Sequence, residues 1–159
     1  MENEEMGEHG AISNVYIMVD GVSVFHLEYW GGSVEPNLVT GFLSAIASFA
    51  REVSKDAVLK TVSIPPLKIV AQQVMEQPQV IVSLVALESF PLRIAEVVLQ
   101  EVTKVFLDNY SQDLVNLRGI DLTPELSPKV HEAIVSSLKL LLDDLSKKRT
   151  SKGKSPGKS

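Results

Sequence analysis

Residues 38–53, LVTGFLSAIASFAREV, decide how this chain folds. Leu38, Phe42, Ala45, Ile46, Phe49 and Val53 recur at steps of three and four, which places them on one helical face. Ser44, Ser48, Arg51 and Glu52 mostly lie away from that stripe. A helix with one apolar face needs a sheet or other helices against it. Strand-like segments flank it on both sides, so the pattern predicts a central helix laid across a sheet. Gly41 inside this helix costs about 1 kcal/mol relative to Ala. Close packing of the backbone against the sheet or a second subunit would offset that cost.

Upstream, Val15, Ile17 and Val19 alternate with Tyr16 and Met18, the pattern of a mostly buried strand. Asp20-Gly21 is a hairpin turn, because Gly accepts positive φ and Asp bonds its own backbone. Val22 to Tyr29 reads as the second strand of a tight antiparallel hairpin. Trp30-Gly31-Gly32-Ser33 ends it, and Asn37 is placed to cap the central helix.

Downstream, Val58 to Ile64 alternates as a third strand. Pro65-Pro66 interrupts its ladder, since neither residue donates a backbone N–H. Leu67 to Met75 is a fourth strand, and Glu76-Gln77-Pro78-Gln79 a turn. Val80 to Leu87 is the most apolar strand, and is expected at the centre of the sheet. A long helix follows Pro91, with Ser89 as its expected cap. Ile94, Val98, Val102, Val105, Phe106 and Tyr110 form its buried face, and it extends to about residue 117 with an irregularity near Ser111. Thr123-Pro124 and Ser127-Pro128 are two helix-start signatures. Val130, Ile134, Leu138, Leu141 and Leu145 then carry a last helix. The predicted class is α+β, a five-stranded, mostly antiparallel sheet in the element order β-β-α-β-β-β-α-α.

The 159 residues suffice for one domain with a real core. Residues 1–12 read as a flexible acidic leader, 13–146 as the domain and 147–159 as a disordered basic tail. Four glutamates lie within residues 2–8, and six basic groups without an acid within 147–158. The body between them is acidic and offers no broad phosphate-binding surface, so nucleic acid is not an expected partner. The tail is suited to touching an acidic protein or anionic lipid. With no Cys, disulfides, thiolate ligands and cysteine nucleophiles are excluded. No apolar run approaches the roughly 20 residues of a membrane span. The acidic start is the reverse of a secretory leader. A cytoplasmic protein, with peripheral membrane contact as an option, is the expectation.

Chemistry is sparse. His9, His26 and His131 show no metal-ligand spacing. Asp143-Asp144 reads as a solvated helix face. Lys152-Gly153-Lys154-Ser155 lacks the preceding strand and following helix of a phosphate loop. No nucleophile–base pair or paired carboxylates can be assigned, so no enzyme activity, cofactor or metal is expected. Phe25, Tyr29 and Trp30 form the main aromatic cluster, and an exposed Trp30 would be an anchor for a partner.

One resemblance joins these pieces. In order, Asp20-Gly21, Val24-Phe25, a polar and glycine-containing break, Leu38, Gly41-Phe42-Leu43-Ser44-Ala45-Ile46 and Phe49-Ala50 resemble the roadblock and longin superfamily, over about residues 14–117. Roadblock domains begin with a helix, whereas longin-like domains begin with the hairpin and finish with two helices. The chain is closer to the longin-like form. It lacks the coiled coil and anchor of membrane-fusion longins. The resemblance implies a non-catalytic interaction module that binds or regulates a small GTPase, or assembles a vesicle-trafficking or regulatory complex. It also implies homo- or heterodimerisation through edge strands or the central helix. Phe25, Trp30, Leu38, Gly41, Phe42, Ala45 and Phe49 are the candidate interaction residues. A structural homodimerisation scaffold and a small-molecule-sensing domain are the alternatives.

Overall fold

A computed structural model describes residues 11–29, 59–75, 77–112, 114–117 and 119–154. Five strands, β1 (Ile12–Val19), β2 (Val22–Glu28), β3 (Leu59–Ile64), β4 (Leu67–Met75) and β5 (Val80–Leu87), are followed by helix α1 (Leu92–Tyr110), a 3-10 turn at Leu114–Leu117 and helix α2 (Thr123–Lys154). They form one sheet in the order β2-β1-β5-β4-β3, with every neighbouring pair antiparallel. The most apolar strand, β5, is central, as its composition predicts.

Local chemistry explains the turns. Asp20 and Gly21 both have positive φ, 50° and 81°, the hand that suits a two-residue hairpin turn. The turn is tied to the β4–β5 connection, where the Asp20 N–H donates to the Gln79 carbonyl at 2.7 Å and the Gln79 N–H donates to Asp20 Oδ1 at 2.9 Å. Pro65-Pro66 forms the turn between β3 and β4, where its missing donors cost the ladder nothing.

Period-two alternation sorts the residues onto two faces. On one face lie Val15, Ile17 and Val19 of β1, Val70 of β4, and Val80, Val82, Leu84 and Ala86 of β5. Ala95, Val98, Leu99, Val102 and Phe106 of α1 pack on them, together with Leu126, Val130, Ile134 and Leu138 of α2. The α1 helix lies over β4 and β5, and α2 reaches β2. On the other face, register aligns Asn14 with Val85 and Ile69, Tyr16 with Ser83 and Ala71, and Met18 with Ile81 and Gln73. These side chains are also buried, and neither α1 nor α2 lies on that face. The predicted helix at residues 38–53 falls outside the described residues.

The helices differ from expectation at their ends. Pro91, not Ser89, is the N-cap of α1. It is extended at φ −61° and ψ 133° and makes no side-chain capping bond. Its carbonyl accepts from the N–H groups of Ile94 and Ala95, so the ring that cannot donate sits where no intrahelical donor is required. The α1 helix stops at Tyr110 and the apolar pattern continues in the 3-10 turn, where Leu114 and Leu117 are buried. The first start signature opens α2, and Pro128 lies inside it. The α2 helix then runs through Lys154, past residue 147 where the sequence predicts a disordered tail.

Candidate interaction surface

The two sheet edges are built differently. At the β2 edge, the Leu122 N–H donates to the Val24 carbonyl at 2.8 Å, and the His26 N–H donates to Thr123 Oγ1 at 3.0 Å. The start of α2 therefore occupies polar groups that an edge strand would otherwise present. The Thr123 N–H in turn donates to Asp121 Oδ1 at 3.0 Å. The bond to the Thr123 side chain, and then this backbone bond, hold the Asp121 carboxyl below its ordinary range. Tyr29, just past β2, packs against the core, and its hydroxyl meets His131 Nδ1 of α2 at 2.8 Å. Burial pushes the Tyr29 phenol upward, so it stays neutral.

At the opposite edge, β3 pairs with β4, and no other described segment bonds to its backbone. Ile64 and Leu67 close a two-residue turn, so successive β3 residues alternate between facing β4 and facing the open edge. Thr61 and Ser63 turn their backbone groups outward. Both are exposed, and Ser63 Oγ donates to Glu88 Oε2 at 2.9 Å.

Polar groups also gather on the face away from α1 and α2. The Tyr16 and His26 rings stack at 4.5 Å with an interplanar angle of 7°. Asn14 Nδ2 lies 3.0 Å from His26 Nε2. Burial lowers the His26 pKa, opposed by the nearby Glu28 carboxylate. Burial, then Glu28, pushes the Tyr16 phenol up to about 12. Among the described residues, Asn14 Oδ1, Tyr16 OH and Ser83 Oγ are buried without a hydrogen-bond partner. Among the described residues no group of His, Asp and Glu is arranged to hold a metal ion.

Of the candidate interaction residues, Phe25 is 1% exposed and belongs to the core beneath the helices. β2 turns it toward the helix layer. Trp30, Leu38, Gly41, Phe42, Ala45 and Phe49 lie outside the described residues. Sequence reasoning did not find the Thr123 cap on β2 or the Tyr29–His131 bond. The Thr123-Pro124 signature marked a helix start, but gave no sign that its hydroxyl would meet a strand 97 residues away.

A hairpin at the start, β3-β4-β5 as a meander, and paired helices at the end form the arrangement that the sequence resemblance implies. The described fold is α+β, a five-stranded antiparallel sheet with two helices. No family model and no curated protein matches the chain. Among solved structures, the chain is similar to MglC from Myxococcus xanthus, with 16% identity and a TM-score of 0.40 over 50% of this chain and 70% of that one. It is also similar to an MglB with tetrameric arrangement, with 20% identity and a TM-score of 0.42 over 57% and 71% of the two chains. The gliding protein MglB from Thermus thermophilus gives 19% identity and a TM-score of 0.41 over the same shares.

Proposed function

We propose that the chain is a non-catalytic interaction module that receives a protein partner along β3, the partner being a small GTPase or a subunit of a regulatory complex. The observation that carries this reading is the contrast between the sheet edges. The β2 edge is occupied by Leu122 and Thr123, whereas the β3 backbone bonds to β4 alone among the described residues. An edge strand with free donors and acceptors recruits another strand, and alternating side chains supply specificity. The class of partner comes from the resemblance in the sequence. The same edge would serve a second copy of the chain in the scaffold reading.

The test is a pull-down against small GTPases of the same genome, loaded with either nucleotide, using the native protein and Thr61→Pro. Proline removes an outward donor from the edge. Retention by the native protein in one nucleotide state, lost with Thr61→Pro, is the expected result. No retention in either state sinks the GTPase reading. Light scattering then distinguishes the scaffold, since a strictly monomeric protein at high concentration excludes a homodimer.

A further inference from the structure

We propose that the C-terminal part of α2 seats on an anionic phospholipid surface. Leu138 is the last buried side chain of α2 among the described residues, and Leu141 is half-buried. Around them, Leu140 is 71% exposed and Leu142 is 52% exposed. Residues two apart on a helix point to different sides. The apolar surface therefore extends beyond the stripe that packs on the core. A solvated helix end ordinarily carries polar residues at such positions.

Beyond these leucines, α2 also extends past the end of α1. The 19 residues of α1 span about 28 Å and the 32 residues of α2 about 48 Å. The end of α1 meets the beginning of α2, where Lys129 Nζ donates to Asn109 Oδ1 at 2.8 Å and the Tyr110 hydroxyl donates to Glu125. Both helices lie on the same sheet face, so α2 runs back along α1 and outreaches it by about 20 Å. The outreaching part of the sequence contains Lys147, Lys148, Arg149, Lys152 and Lys154, with no acid among residues 147–154. Asp143 and Asp144 precede this run, and the basic excess persists over the whole helix end.

Exposed leucines followed by a basic helical segment fit a bilayer interface. The leucines enter the boundary between headgroups and acyl chains, and the cations meet lipid phosphates. An acidic protein surface would satisfy the cations but provide no general reason for apolar residues on more than one side of the helix. No described helix is long and apolar enough to cross a membrane, so the contact is peripheral. It is independent of the β3 edge, and either proposal can fail alone.

The experiment is co-sedimentation of the full chain with phosphatidylcholine vesicles, with and without phosphatidylglycerol, at low salt and about 0.5 M salt, where the screening length is only a few ångströms. The expected result is sedimentation with the anionic vesicles alone, weakened by salt. Each basic residue near an anionic surface contributes roughly fivefold in affinity, so joint Lys147→Gln, Lys148→Gln and Arg149→Gln lowers binding about 100-fold. Leu140→Ser lowers it about tenfold through lost apolar burial. Absence of sedimentation with anionic vesicles overturns the proposal. So does unchanged binding by the triple variant. Release from vesicles by soluble polyglutamate while Leu140→Ser binds normally assigns the helix end to an acidic protein and overturns the membrane contact.

Discussion

The two faces of the sheet are both buried but are stabilised differently. On the helix side, the strand valines and Leu84 pack against Phe106 and its neighbours on α1 and against α2, and the polar groups at the margin have partners, as in Tyr29 with His131. On the other side, apolar Ile69, Ile81 and Val85 neighbour Asn14, Tyr16 and Ser83, each with a buried polar atom that has no partner among the described residues. The first face gains stability mainly from apolar burial. The second keeps polar groups in a place where each unmet hydrogen bond costs about 1–3 kcal/mol. Buried polar groups of this kind occur where a structure is committed to something besides maximal stability.

The largest expected effect lies on the helix side. Phe106→Ala removes a fully buried ring from between the layers and should lower unfolding stability by about 3–5 kcal/mol in urea titration. A loss below about 1 kcal/mol would mean that the helices are not the firm layer described. Next, Tyr29→Phe deletes one partner of the bond to His131 and leaves the ring in place. A loss of about 1 kcal/mol is expected by the same measurement, and an unchanged midpoint would remove this bond from the account of how α2 is held.

The matching substitution on the other face should have the opposite sign. Tyr16→Phe removes a buried hydroxyl that makes no bond and should raise stability by up to about 1 kcal/mol. If stability falls by as much as Tyr29→Phe lowers it, the two faces are not different in the proposed way.

The smallest effect is the pH response of His26. Burial lowers its pKa below 6.5, more than Glu28 raises it. Between the lowered value and 6.5 the unfolded chain therefore binds more protons than the folded one. The His26 contribution is fully present above 6.5 and is lost as pH falls through the folded value. Chemical denaturation across that window should show a decline that His26→Gln reduces. An equal decline in the variant would assign the effect to other groups.

Most of the strand layout was legible from residue order. Alternation in residues 15–19, the Asp20-Gly21 turn and the Pro65-Pro66 break give β1, β2, β3 and β4 within a residue or two. These signals are local: side-chain period, tolerance of positive φ and missing donors act within a few residues. The candidate surface was less legible. Phe25 was grouped with Tyr29 and Trp30 because an aromatic in a strand carries no mark of which layer it will face. The sequence pointed to edge strands in general and not to β3. Only the arrival of Thr123 at β2 distinguishes them.

By itself, the sequence determined the class of elements, their order, the central apolar strand, and the absence of cysteine chemistry. Each follows from short-range patterning or composition. Tertiary structure decided the order β2-β1-β5-β4-β3, the closing of one edge by the start of α2, the burial of Phe25 and the stranding of Asn14, Tyr16 and Ser83 on one face. It also decided that α2 continues as helix into the basic segment and carries Leu140 and Leu142 beyond the core. These features depend on which distant segments meet. That choice is made by the free energy of the whole packed chain, to which a local pattern contributes only one part.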